Sequence, residues 1–92
     1  MTAVAQHALE RWVGSVWAEA IGTAQPRLTD SFAGVGGHSL HAVRVVFLLR
    51  EKLGIPVPMS VVFDAADLAE LCHWLRSELT RLGVTPAIPV DL

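Results

Sequence analysis

The stretch Gly36-Gly37-His38-Ser39-Leu40-His41-Ala42-Val43-Arg44-Val45-Val46-Phe47-Leu48-Leu49-Arg50-Glu51-Lys52-Leu53-Gly54 carries most of the structural information in this chain. Ser39 is a good helix N-cap residue and Gly54 a natural stop, so a helix is expected over Ser39 to Leu53. Wound at about 100° per residue, Ala42, Val45, Val46, Leu49 and Leu53 share one face, which must be the core side. Leu40, Val43 and Phe47 form a second apolar face about 140° away, and Leu48 also lies off the core side. One helix of a small bundle needs only one apolar face.

Outward from this helix the pattern stays helical. Leu9, Val13, Val16, Trp17, Ala20 and Ile21 recur at helical spacing and predict a first helix from about Ala3 to Ile21, closed by Gly22. Gly14 is its weak spot, costing about 1 kcal/mol against Ala. Between them Thr23 to His38 reads as a sixteen-residue loop, expected to be pinned by Leu28 and Phe32. Loops of that length in a small domain often carry function. After Gly54, Ile55-Pro56-Val57-Pro58 forbids helix and predicts an extended connector. A short helical turn follows over about Ser60 to Phe63. The last helix runs from about Leu68 to Leu82. Asp67 and Glu70 have capping-box spacing, and Leu68, Leu71, Cys72, Leu75, Leu79 and Leu82 form one stripe. Gly83 ends it, and the tail from residue 84 to 92 should be loose. No strand-like alternation is present. The expected fold is all-α: a small four-helix bundle of three long helices and one short, with a structured core over about residues 5–83.

The totals set limits on function. Ninety-two residues suffice for one domain, and a hydrophobic content of 52% argues for a real core. The formal charge is −2, and the seven basic residues are scattered, so no basic stripe for nucleic acid is visible. A single cysteine forbids an internal disulfide and fits a reducing, cytoplasmic setting. No apolar run approaches the roughly 18 residues that span a bilayer. A monomer is expected. Residues 1–6 lack a signal-peptide pattern, and Met1 fits either a free-standing protein or an excised domain.

The chemistry concentrates at Ser39. Two glycines permit a tight turn, which would deliver this serine to a helix N-terminus at the tip of the long loop. Taken alone, Ser39 is simply a helix cap. The second apolar stripe adds a different reading, because exposed apolar patches usually mark binding surfaces. The loop folding back over the stripe is the competing explanation. Gly37-His38-Ser39-Leu40-His41 also resembles a G-x-S-x-G nucleophile elbow. Its fifth position is His, and a small helical chain cannot supply the sheet that an elbow needs. His38 and His41 are too few to make a metal site and are expected in solvent at the helix start. His7 and His73 are expected at the surface. Cys72 reads as an inert core thiol. Trp17 belongs in the core, with Trp12 and Trp74 partly buried.

Asp30-Ser31-Phe32-Ala33-Gly34-Val35-Gly36-Gly37-His38-Ser39-Leu40 resembles the attachment motif D-x-F-F-x-L-G-G-H-S-L of peptidyl carrier (thiolation) domains from nonribosomal peptide synthetases. The similarity runs over about residues 9–79. Val16 to Gly22 resembles the end of the family's first helix, Gly54 to Phe63 its connector and short third helix, and Asp67 to Leu71 the start of its last helix. Ala33, Val35, His41 and Ala66-Asp67 depart from the pattern; Ala33, in place of a second Phe, should anchor the loop less firmly.

The resemblance implies a covalent 4'-phosphopantetheine arm on Ser39, flanked by Gly37, His38 and Leu40. A phosphopantetheinyl transferase would install it from coenzyme A. The arm would present aminoacyl or peptidyl thioesters to adenylation, condensation or tailoring enzymes, and the domain would not be an enzyme itself. Leu40, Val43 and Phe47, with Met59 and Val61, are candidates for docking those partners. An acyl carrier of polyketide or fatty acid assembly is the near alternative. Such carriers more often have Asp before the serine and a more acidic face, whereas this helix carries Arg44, Arg50 and Lys52 against Glu51. An unmodified helical adaptor remains the alternative from another class.

Overall fold

The computed structural model describes residues 2–86, with side chains from Ala8 onward. The expectations for the His7 side chain and for residues 87–92 of the tail fall outside the described residues. Four helices form: α1 (Thr2–Ile21), α2 (Ser39–Leu53), α3 (Met59–Asp64) and α4 (Leu68–Leu82). No strand occurs among the described residues. The all-α four-helix bundle expected from periodicity is the fold observed, with α3 one residue longer at each end than its sequence signal.

Packing follows the stripes. α1 lies against both α2 and α4, and α3 lies against α2. Val13 and Trp17 of α1, Val45 and Leu49 of α2, Val62 of α3, and Leu71, Cys72 and Leu75 of α4 meet in one fully buried core. The residues assigned to the core face of α2 are the buried ones. Leu82 is a correction: it is exposed, because the stripe runs past the end of the bundle at the last turn of α4. Ala20 and Ile21 are half-buried against the core, and Trp12 is buried more completely than its position at the stripe edge suggested.

The helix ends show why the chain turns where it does. Gly54, at φ 71°, adopts the left-handed conformation that stops α2, and its N–H donates to the Arg50 carbonyl at 2.9 Å. Asp67 caps α4 by accepting from the Glu70 N–H at 2.9 Å. The Glu70 carboxylate reaches back to the Ala66 N–H at 2.8 Å, one residue before the usual capping-box partner. Gly14 is not merely a weak spot. A Cβ there would stand 2.5 Å from Nε2 of Gln25, whose amide donates to the Arg11 carbonyl, so the glycine makes room for the loop to lie against α1.

The loop over residues 23–38 is anchored differently from expectation. Phe32 is fully buried, but Leu28 is exposed. The Leu28 backbone does the holding: its carbonyl accepts from the Ala69 N–H at 3.0 Å, and the Asp30 carbonyl accepts from the Leu68 N–H at 2.9 Å. The first N–H groups of a helix have no partner within it, and here the loop supplies two. The Asp30 carboxylate closes the local turn, accepting from the Arg27 N–H at 2.8 Å and facing the Arg27 guanidinium at 3.3 Å. These contacts, the backbone N–H first, hold the Asp30 carboxyl below its ordinary range.

Leu71 is completely buried where α4 meets the core. Leu71→Ala is expected to lower the unfolding free energy by about 2–5 kcal/mol, measured by chemical denaturation. An unchanged denaturation midpoint would show that the core is centred elsewhere.

Candidate functional site

Ser39 is the first helical residue of α2 and is solvent-exposed. It is not the N-cap, as its residue type suggested. His38 occupies that position in extended backbone (φ −140°, ψ −174°). The consequence is chemical, because an N-cap serine spends its oxygen on a backbone N–H. At the first helical position no such bond forms, and the hydroxyl faces solvent.

The approach to Ser39 is rigid for reasons visible in the sequence only after the fact. Ser31 Oγ accepts from the Gly34 N–H at 2.9 Å, and the Ser31 carbonyl accepts from the Val35 N–H at 3.1 Å. The chain then reverses at Gly36, whose φ of 96° is open to glycine and costly for other residues. Gly37 donates to the Phe32 carbonyl at 2.9 Å and lies flat on the Phe32 ring. A Cβ on Gly37 would stand 2.5 Å from two atoms of that ring. Phe32 is itself held edge-on between Trp17, with centroids 5.2 Å apart, and Phe63, at 5.4 Å. The serine thus rests on a short aromatic column reaching into the core. Ala33 is exposed, so the missing second Phe removes no contact with the core.

His38 and His41 were expected in solvent. His38 is, but His41 is half-buried and its ring packs at a tilt against that of His38, with centroids 3.7 Å apart. His41 Nδ1 accepts from the His38 backbone N–H at 3.1 Å. Among the described residues no group of three metal-ligating side chains comes together.

The second stripe of α2 is open rather than covered by the loop. Leu40 is 77% exposed, Val43 53% and Phe47 62%. Beside it an open groove of about 770 Å³ runs between α2 and the connector to α3, lined in part by Val43, Phe47, Arg50, Val57 and Met59. Met59 is exposed and continues this surface. Val61 is half-buried against the core and contributes less area. Sequence reasoning missed Phe63, whose partly exposed ring braces Phe32.

The surroundings of Ser39 suit a bulky anionic substituent. The first turn of α2 contains no acidic residue, and the hydroxyl is open to solvent. The N–H groups of Ser39 and Leu40 have no partner within the helix and lie at its positive dipole end. A thiol elsewhere in the domain would be a hazard to any thioester carried there. Burial, with the Glu10 carboxylate nearby, pushes the Cys72 thiol up to about 12. It stays protonated, buried and unreactive.

A four-helix bundle with an exposed serine opening its second helix is the form of a carrier domain, and comparison with known proteins agrees. Residues 11–75 match the family model described as "Phosphopantetheine attachment site". The chain belongs to that phosphopantetheine-attachment family, and it spans only a small part of the length of the curated relatives it matches. It is 35% identical over 80 residues to part of tyrocidine synthase 3 of Brevibacillus parabrevis, matching 86% of this chain and 1% of that protein. Its structure resembles that of BlmI, a type-II acyl-carrier-protein from Streptomyces verticillus, with a TM-score of 0.79 at 24% identity over 85% of this chain and 94% of that one. At that identity the likeness speaks for the fold alone. It also resembles part of the nonribosomal peptide synthetase FmoA3, with a TM-score of 0.65 at 31% identity, covering 74% of this chain and 7% of that one. No described helix is long and apolar enough to cross a membrane.

The contact between Gly37 and Phe32 generates a direct prediction. Gly37→Ala should force the loop off the aromatic column and cost about 1–3 kcal/mol, as overpacked sites do. Thermal unfolding followed by the combined emission of Trp12, Trp17 and Trp74 would report it, and an unchanged midpoint would contradict it.

Proposed function

We propose that Ser39 carries the 4'-phosphopantetheine arm and that the domain ferries aminoacyl or peptidyl thioesters in nonribosomal peptide assembly. The observation that carries this reading is the free, exposed Ser39 hydroxyl at the first position of α2, on a loop fixed by Phe32. A phosphopantetheinyl transferase supplies the catalysis. Ser39 Oγ forms the new bond to the pantetheine-bearing phosphorus of coenzyme A, the pyrophosphate P–O bond breaks with adenosine 3',5'-bisphosphate as the leaving group, and the serine proton passes to a base of the transferase. The phosphodiester anion then sits at the helix N-terminus, flanked by Gly37, His38 and Leu40. When attached, the arm supplies a flexible tether ending in a thiol, which presents one thioester to several active sites at high effective concentration.

The domain itself performs no chemistry on that thioester. Adenylation, condensation and tailoring enzymes are its partners, in a reducing cytoplasm. They are recognised through Leu40, Val43 and Phe47, with Met59 and the edge of Val61 extending the surface across the groove. Three such apolar side chains exposed in a row on one helix have no structural use within the domain. The whole bundle acts as one carrier unit.

Intact-protein mass after incubation with coenzyme A and a promiscuous transferase tests the assignment. The expected gain is one phosphopantetheine, absent in Ser39→Ala. A wild-type protein that gains no mass would leave an unmodified adaptor as the better reading. For docking, Phe47→Glu should leave the melting curve in place but reduce loading by partner enzymes about tenfold, as loss of an interface anchor does. Undiminished loading with every partner would remove Phe47 from the docking face.

A further inference from the structure

We infer that His41, as a neutral imidazole, is a positioning residue for Ser39: it caps the helix that presents the serine, and the cap is released when its ring is protonated. The inference rests on the proposed modification of Ser39 but concerns a device that the reading does not require. The start of α2 is capped in an unusual way. The side chains of His38 and His41 are paired as a capping box, and its first turn has no acidic residue. One half of that box is a defined hydrogen bond. His41, at the third helical position, reaches back so that Nδ1 accepts from the His38 backbone N–H at 3.1 Å. Glu and Gln commonly take this part in a capping box. A histidine there is titratable, which a Gln is not.

The bond specifies a protonation state. A backbone N–H can donate to Nδ1 only if that nitrogen carries no proton, so the ring must be neutral with its proton on Nε2. The two rings lie against each other at a tilt of 33°, with centroids 3.7 Å apart, in this same arrangement. Protonation of His41 removes the acceptor, places a cation beside the positive end of the helix, and sets it against the ring of His38. All three effects loosen the residues on either side of Ser39. No ion pair of the described residues involves either ring. Arg44 lies one turn further along α2, and its charge has the same sign as a protonated ring. On the neighbouring elements the charged side chains of the described residues are Glu10, Arg11 and Glu19 on α1, Asp64 on α3, and the loop pair Arg27 and Asp30, which bond to each other.

Two readouts test the inference. The first is the nitrogen chemical shifts of the His41 ring in the unmodified protein at about pH 8, where imidazoles are ordinarily neutral. The expected pattern is the Nε2-protonated tautomer; the opposite tautomer, or an even mixture, overturns the inference. The second is the rate at which a promiscuous transferase modifies wild type and His41→Gln, compared between about pH 8.5 and about pH 5.5, a range that spans imidazole titration. The ratio cancels the transferase's own pH dependence. Wild type and His41→Gln should be modified alike at the upper pH. The wild-type rate should fall about threefold or more below that of His41→Gln at the lower pH, the size of effect a lost cap produces. His41→Ala should be slow throughout. A ratio independent of pH overturns the inference. If no variant accepts the arm, the proposed function fails, and the ring shifts still judge the cap by themselves.

Discussion

The site depends on the contact between Phe32 and Gly37. Phe32 is driven into the core by its own burial, and its ring is fixed by Trp17 and Phe63 on either side. Its backbone carbonyl and its ring face then define where Gly37 must lie. Two residues later the chain enters α2, so the position of the Ser39 hydroxyl is set by hydrophobic packing rather than by any bond to the serine itself. This arrangement lets one residue be both firmly placed and chemically free. A side chain held by its own hydrogen bonds would be less available for modification.

The same economy appears in the distribution of apolar surface. The chain is rich enough in hydrophobic residues to fill its core and leave Leu40, Val43 and Phe47 outside. Exposed apolar side chains carry a standing risk of association, and a small domain tolerates them where partners must bind and leave in turn. Around the stripe, Arg44, Arg50 and Lys52 keep the helix solvated. The buried Cys72 completes the division between an inert interior and a reactive periphery.

Much of this was legible in the residues. Helix periodicity located the three long helices, the short α3 was expected only as a helical turn after the proline connector, and the glycines at 22, 54 and 83 located three helix ends. The double-faced character of residues 39–53 announced a surface to be left open, and exposure of the stripe agrees. What escaped was mostly backbone and geometry. Leu28 looked like an anchor by its side chain, but the anchoring is done by its carbonyl, which no sequence pattern advertises. Ser39 looked like a cap because serine usually is one; the cap moved to His38 because the turn on Phe32 places the extended residue one position earlier. The aromatic column was hidden because its three rings lie far apart in the chain and meet only in three dimensions. The departure from the family pattern at His41 was visible, but its bond to the His38 backbone was not.

Amide hydrogen exchange at Gly37 in the unmodified protein tests the central claim most directly. The Gly37 N–H donates to the Phe32 carbonyl at 2.9 Å inside a loop that is otherwise largely exposed. If packing on Phe32 fixes the serine's approach before any partner arrives, this amide should exchange as slowly as those in the middle of α2. Exchange at the rate of an open loop would mean that the loop is ordered only by its partners, and would contradict the account.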